Sequence, residues 1–367
     1  METCSYLNSF FLADFIHLPN RFRKHAILKK ISLQDISESL GISKSTISSV
    51  LNGRGDEKRV SKETQEKIIS FAKEHNYKPN LLARGLSRGK SDMIGLVVPN
   101  ISDIFFARIA RRIEEYAEQS GYNVVFSSTG ESKERESQLI QSMLDRQVDG
   151  LIIASCQKND KDILRLKNRN FPFVLIDRHY PEINTHYVGI DNVGGVASAV
   201  ERLIHTGRKR IALVTLSIGL EPIRERSVSY QKTLRKHGIQ FDKDLIHALD
   251  YQSMETDMQD VIKALIVGPN KVEGIVFATH FLTAYGLREI KKLPVSVPED
   301  VALVSLGQMS AFDLMEPPVT SVALPSSEIG DKAVDILLRN MLDTNLEYEK
   351  ISLKTELVVR RSCGNMN

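Results

Sequence analysis

The sequence predicts an N-terminal all-α domain of helix-turn-helix pattern, followed by an α/β body of two parallel-sheet subdomains. Three observations carry this. Residues 21–90 hold 16 Lys and Arg against 7 Asp and Glu, a net +9, although the whole chain is only +3. Residues 31–75 show helical apolar periodicity broken by glycine. From Met93 onward, short apolar runs alternate with amphipathic helical segments.

Length and composition set the frame. A chain of 367 residues exceeds one small core and predicts two or three domains. Composition is that of a globular protein, with 42% hydrophobic and 26% charged residues and no tryptophan. Cys4, Cys156 and Cys363 are scattered and form no CxxC pair, which argues against a disulfide framework or a zinc site and for a reducing cytoplasm. The early apolar run "FFLADFIHL" is short, is broken by Asp14 and follows no positive charge. It is not a signal peptide or a membrane span, so no membrane association is expected. Residues 1–30 are expected to be a disordered extension. A basic head on a mildly acidic remainder is the footprint of nucleic-acid binding.

In the head, Ser32 and Asp35 make a capping-box-like start, and Leu33, Ile36 and Leu40 share one helical face. Gly41 ends that helix. Ser43 caps a second one, where Ile47, Val50 and Leu51 form the buried face. Lys44, Ser45, Ser48 and Ser49 are left outward. Small hydroxyls and one lysine let a helix backbone approach base edges closely. In a helix-turn-helix the second helix enters the major groove, N-terminal residues first. A third helix is predicted from Val60-Ser61 to about His75, with Ile68, Phe71 and Ala72 as its apolar stripe and Tyr77-Lys78-Pro79-Asn80 as its stop. A short basic segment, "LLARGLSRGK", precedes the body.

In the body the runs "IGLVV", "NVVFSS", "GLIIAS", "FVLID", "RIALVTL", "GIVFAT" and "VALVSLG" alternate with helical segments such as 105–119 and 134–146. That alternation implies parallel sheets covered by helices, with too many units for one small sheet.

The chain resembles the lactose-repressor/galactose-repressor (LacI/GalR) family of bacterial transcription regulators. The residues that carry the resemblance are "SLQDISESLGISKSTISSVLNGRG", "VSKETQEKIISFAKEHNYKPNLLARGLSRGKSDMIGLVVPNISDIFF" and "PEDVALVSLG", within a span from about Ile31 to Ser362. The resemblance implies a helix-turn-helix domain at 31–78, a hinge helix or linker at 79–91, and a periplasmic-binding-protein-like body at 92–362 that binds an effector and dimerises. Crossovers between subdomains are expected near Leu203–His205 and Thr320–Leu324. Helix 326–341 should return to the first subdomain, and residues 350–360 should add a strand to the second.

The resemblance also implies roles. Lys44 and Ser45 match the base-reading positions; Thr46, Ser49, Asn52 and Arg54 complete the candidate DNA contacts, and Leu86 matches the leucine wedged into the minor groove. Ser49 stands where many members have arginine. The loop 53–59 is longer than the common form and adds Arg54, Lys58 and Arg59 as phosphate contacts. Gly85 sits inside the hinge. The implied partners are double-stranded operator DNA, a second copy in a homodimer, and a small-molecule effector of the sugar-derivative class; no cofactor or metal is implied.

Ligands of open α/β sheets lie beyond the carboxyl ends of the strands. The candidate effector residues are therefore Phe105, Phe106, Asp177, Arg178, Asp191, Arg224, Tyr251, His280, Phe281 and Gln308. The resemblance implies that the aromatics stack on an effector ring and that Asp177 and Arg224 hydrogen-bond its polar groups. Two departures stand out. His280-Phe281 replaces the family's Asn-Asp, and Gln308 replaces a common aspartate, so carboxylates that grip paired hydroxyls are missing there. With Arg178 and Arg224 assigned to the cleft, the expectation is an acidic or phosphorylated sugar, or one with an apolar substituent. Two other readings compete: a body that answers to a protein partner, and an enzyme fused to a DNA-binding head. Against the latter, the chain has no GxSxG, GxxxxGK[ST], helix-opening GxGxxG or HExxH, and its nine histidines do not cluster.

Overall fold

The computed structural model describes residues 31–77, 89–269 and 271–364. The extension at 1–30, Leu86 and most of the predicted hinge lie outside the described residues. The chain divides into two compact units, a helical head and a larger body.

The head contains three described helices: α1 (Leu33–Leu40), α2 (Lys44–Leu51) and α3 (Lys62–Glu74). The Ser32 hydroxyl accepts from the Asp35 N–H, and the Asp35 carboxylate accepts from the Ser32 N–H at 2.8 Å. This satisfies N–H groups that the first turn cannot bond internally. Gly41 closes α1 at φ +67°, a conformation that costs a side chain and not a glycine. Ser43 and Ser61 cap α2 and α3. Ile36, Ile47, Val50 and Ile68 form the buried centre, flanked by Leu33, Leu40, Leu51 and Phe71.

The body holds two six-stranded sheets of matching order. In chain order the first sheet uses β1 (Met93–Val98), β2 (Asn123–Ser128), β3 (Gly150–Ile153), β4 (Phe173–Ile176) and β5 (Tyr187–Ile190). The second uses β6 (Ile211–Leu216), β7 (Ile246–Leu249), β8 (Gly274–Phe277), β9 (Ala302–Leu306) and β10 (Ser321–Ala323). The final strands are β11 (Lys350–Leu353) and β12 (Glu356–Val358). Spatial orders are β2-β1-β3-β4-β5-β11 and β7-β6-β8-β9-β10-β12, parallel except for antiparallel β12. Each sheet therefore reverses direction of growth beside its first strand, the point where doubly wound folds open a crevice. The central strands are buried on both faces, which is why they read as continuous apolar runs.

Helices α4 (Ile104–Gln119), α5 (Lys133–Asp145) and α6 (Asp160–Asn168) cover the first sheet. Helices α7 (Asn192–His205), α8 (Glu221–Lys236), α9 (Met254–Ile266) and α10 (His280–Ile290) belong to the second subdomain. Helix α11 (Ser326–Leu342) packs on α4 and the first sheet, matching the expected return.

Two details differ from the sequence reading. The first crossover lies at Asp191 and not near 204, because α7 already packs on the second sheet through Val196, Ala199, Val200 and Leu203. Residues 350–360 do not form one strand: β11 joins β5 in the first sheet, and only β12 joins the second. Among the described residues, no helix is long and apolar enough to cross a membrane.

Candidate functional site

A cleft with about 720 Å³ of empty space opens where the carboxyl ends of both sheets meet within the body. Its lining includes Phe105, Phe106, Asp177, Arg178, Tyr251, His280 and Phe281, all candidates from strand-end reasoning. Pro99 and Asn100 follow β1, Asp177 and Arg178 follow β4, and Leu216 ends β6. Tyr251 lies beyond β7, and Thr279 to Phe281 follow β8 into α10.

The first-sheet side is built around one guanidinium. Arg178 donates from Nη1 and Nη2 to the two oxygens of Glu131, each at 2.8 Å, and from Nη1 to the Ser155 carbonyl at 3.2 Å. Its Nε lies 3.3 Å from an oxygen of Asp177, and its guanidinium stands 5.9 Å from the Phe106 ring centre. A planar fork is the side chain that can meet a carboxylate at two points and still stack on a ring. Asp177 sits at φ +61°, a left-handed conformation that non-glycine residues adopt rarely and aspartate more readily than most. Burial pushes its carboxyl above the usual carboxylate range, opposed by Arg178 and Arg226.

The second-sheet side contributes Arg226. It donates from Nε to Asn192 and from Nη1 to the Ala278 carbonyl, both at 2.8 Å. Burial lowers its pKa, and Asp177 counteracts this. His280 reaches across to Asp103, with Nε2 to Oδ1 at 3.6 Å. Burial holds its imidazole below the ordinary value despite that carboxylate. Tyr251 and His280 each meet the Phe281 ring edge-on, with centroids 6.3 and 5.4 Å apart.

Three candidates fall outside the cleft. Arg224 is exposed on α8 and pairs with Glu221. Asp191 caps α7, its Oδ1 accepting from the Gly194 N–H at 2.7 Å. Gln308 does not line the cleft; its carbonyl accepts from Arg108 at 3.3 Å. The basic residue of α8 that enters the cleft is Arg226, two positions on. The signal was the phase of α8: Ile223, Arg226, Tyr230 and Thr233 follow one another at helical spacing on its buried face. Asn100, Asp103 and Glu131 were also missed, although all lie just after strand ends.

On the head, Lys44 and Ser45 are exposed at the start of α2, beside half-buried Thr46. The Ser45 and Thr46 hydroxyls lie 2.9 and 2.8 Å from that of Ser43. Ser49 Oγ donates back to the Ser45 carbonyl at 2.9 Å, and the Asn52 amide donates to the Ser48 carbonyl at 2.7 Å. The loop after α2 is tied down by Asp56, which accepts from Lys62 and Gln65 of α3 at 2.8 Å, and this leaves Arg54, Lys58 and Arg59 exposed. No group of three or more His, Cys, Asp or Glu among the described residues is arranged to hold a metal ion.

Two segments of the chain match described families. The family description "Bacterial regulatory proteins, lacI family" matches residues 32–80, and "Periplasmic binding protein-like domain" matches residues 200–363, in the order the two units occupy. The chain carries a lacI-family helix-turn-helix head and a periplasmic-binding-protein-like body. It is a DNA-binding transcriptional regulator. The ribose operon repressor of Halalkalibacterium halodurans is 28% identical over 331 residues, covering 90% of this chain and 96% of the relative. A solved transcriptional regulator CelR–cellobiose complex is 26% identical, covers 90% of this chain and 99% of its own, and superposes with a TM-score of 0.68. The lac repressor dimer bound to operator and an anti-inducer shares the fold at a TM-score of 0.80, with 24% identity and coverage of 92% and 100%. The lacI-family match includes α2, and the periplasmic-binding-protein-like match includes the second-sheet side of the cleft.

Proposed function

We propose that this chain is a cytoplasmic homodimeric repressor of carbohydrate-linked genes, and that a sugar or sugar derivative in the body cleft controls it. Lys44 and Ser45 read base edges; Thr46, Ser49 and Asn52 hold the helix in the groove, and Arg54 meets phosphate. Leu86 wedges the minor groove. The protein acts by binding and release and turns nothing over. The observation that carries the effector reading is the cleft itself: it is lined from the strand ends of both sheets, so an occupant touches both subdomains at once. A ligand that favours one relation of the subdomains shifts the DNA-competent state, by about 1–3 kcal/mol in a typical coupled system. The ribose operon repressor and the cellobiose complex among the relatives support a carbohydrate.

The test selects duplexes bound by the full chain, then titrates the selected duplex with and without a library of sugars, sugar acids and sugar phosphates. A change in operator affinity caused by a member that also raises the melting temperature supports the reading. No response to any member overturns it in favour of a protein signal.

A further inference from the structure

The first sheet of the body carries a basic row at the end away from the cleft. In a parallel sheet every strand starts at one end, and the helices between strands finish there. Three neighbouring strands have a cation at that start. Lys90 stands four residues before Ile94 of β1, Arg146 four before Gly150 of β3, and Arg169 four before Phe173 of β4. Ile94 pairs with Gly150, and Leu151 with Phe173, so the three are in step across adjacent strands, which lie about 4.8 Å apart. All three are exposed, and none forms an ion pair among the described residues.

The acids of this end are occupied or distant. Asp149 accepts from the Ser91 and Asp92 N–H groups at 2.9 and 2.8 Å, and Asp145 accepts from the Gln141 amide at 2.7 Å. Asp343 and Glu347 precede β11, at the far edge of the sheet. A groove opens beside the row, lined by Ser137, Ser142 and Arg146 and by Arg165 of α6. Arg165 Nη2 lies 2.9 Å from an Asp162 oxygen without hydrogen-bond geometry, and its Nε has no acceptor among the described residues. Hydroxyls and guanidiniums along a groove are the groups that bond phosphate oxygens. Basic residues also settle at helix C-termini, where they offset the dipole. That accounts for Arg146, whose Nη1 donates to the Ser142 carbonyl at 3.1 Å. It does not account for Lys90, which lies outside any helix, or for Arg169, whose side chain meets no carbonyl among the described residues.

The chain continues toward the head from this same end. Twelve residues lead from Tyr77, just after α3, to Gly89, a span of at most about 43 Å in any conformation. That is little more than one turn of duplex, about 34–36 Å. We infer that Lys90, Arg146 and Arg169 form a second, sequence-independent contact of this chain, with the phosphates of the duplex that its head binds. The contact adds to those assigned to the head and rests on that DNA-binding reading.

Affinity of the full chain for its selected duplex, and for a scrambled duplex of the same length, is measured against salt concentration. Each lost phosphate contact flattens the log–log slope by about 0.9, so Arg146→Gln/Arg169→Gln should flatten it by about 1.8 for each chain bound. Both duplexes should weaken by the same factor, roughly tenfold or more at low salt, with base preference unchanged. Arg146→Lys/Arg169→Lys keeps the charges and should keep the slope. Arg224→Gln/Lys232→Gln removes two exposed charges from the second subdomain and should leave the slope within about 0.3 of wild type. An unchanged slope in Arg146→Gln/Arg169→Gln overturns the inference and leaves binding by the head standing. If inorganic phosphate then raises the melting temperature of wild type and not of that variant, the row holds a free oxyanion instead. Equal flattening by the second-subdomain pair also overturns the inference, because net charge alone would explain it. Failure of wild type to bind any duplex overturns both readings.

Discussion

Gln157 caps a helix that belongs to the opposite subdomain. Its Oε1 accepts from the Glu221 N–H, at the first turn of α8, at 2.6 Å. The residue before that turn is Leu220, which offers no side-chain cap. The Gln157 amide nitrogen donates back to the His179 carbonyl on its own side. One amide thus links the loop after β3, the loop after β4 and the start of α8. The bond exists only while the two subdomains hold this relation.

Gln157→Ala should therefore loosen this arrangement. An N-cap replaced by alanine costs about 0.5–2 kcal/mol, and the same range is expected for the body. The variant should also change the operator response to ligand, since the lost bond biases one relation of the subdomains. Urea denaturation and operator titration measure the two effects. A stability loss with unchanged ligand coupling would make Gln157 a cap and nothing more.

Arg226 and Arg224 separate structure from surface. Removing Arg226 takes away one of the two buried cations near Asp177 and leaves the Asn192 side chain and the Ala278 carbonyl without their donor, a class of change that costs about 1–3 kcal/mol. Arg226→Lys keeps the charge but not the fork, so it should fold better than Arg226→Ala and still lose the thermal shift given by ligand. Arg224→Ala changes an exposed side chain and should stay within about 0.5 kcal/mol of wild type. Its thermal shift with ligand should be unchanged. A lost ligand response in Arg224→Ala alone would return the role to Arg224.

The choice between these two arginines shows what was legible in the sequence. Local signals carried well. Ser32, Asp35, Gly41 and Ser43 act on groups within a few residues, and each sits where its chemistry implied. Seven strand-end candidates line the cleft for the same reason, but Asp191 and Gln308 do not, and Asn100, Asp103 and Glu131 were missed. Arg226 needed the rotational phase of α8, which a choice by segment ignores. The crossover at Asp191 was hidden because the apolar stripe of α7 would suit either sheet. The split of residues 350–360 turns on Lys354 and Thr355. Ile351 and Leu353 then pack with the first core and Leu357 with the second, a division no local periodicity encodes.

The head should bind DNA with a steep salt dependence. Each phosphate neutralised contributes a log–log slope of about −0.9, and the exposed Arg54, Lys58 and Arg59 add to the count. Ser49 donates its hydroxyl to its own helix, so the proposed function assigns Lys44 much of the direct readout. Lys44→Ala should relax preference at one base pair of each half-site, by about 1–3 kcal/mol. Selection from a randomised duplex pool measures both quantities. Unchanged base preference in Lys44→Ala would move the readout to the loop after α2.

His280 gives the body a pH dependence of definite sign. Burial holds its folded pKa below the ordinary value, with Arg108 and Arg226 acting in the same direction and Asp103 at 3.6 Å acting against them. On acidification the unfolded chain therefore takes up this proton first. The contribution of His280 is full above a pH of about 6.5 and is lost as pH falls through that value toward the folded one. Buried His186 and half-buried His179 and His247 shift the same way. Asp177, Glu136 and Glu225 are raised by burial and act with the opposite sign, losing stability as pH rises from the carboxylate range. Subtraction isolates His280, because those groups are common to wild type and His280→Gln. Between about pH 7.5 and 5.5 wild type should lose more stability than His280→Gln, by at most about 1.4 kcal/mol per pH unit. Parallel urea curves across that range measure the difference. A variant as acid-sensitive as wild type would mean that His280 keeps an ordinary pKa, and that protonation tightens its contact with Asp103 as much as burial opposes it.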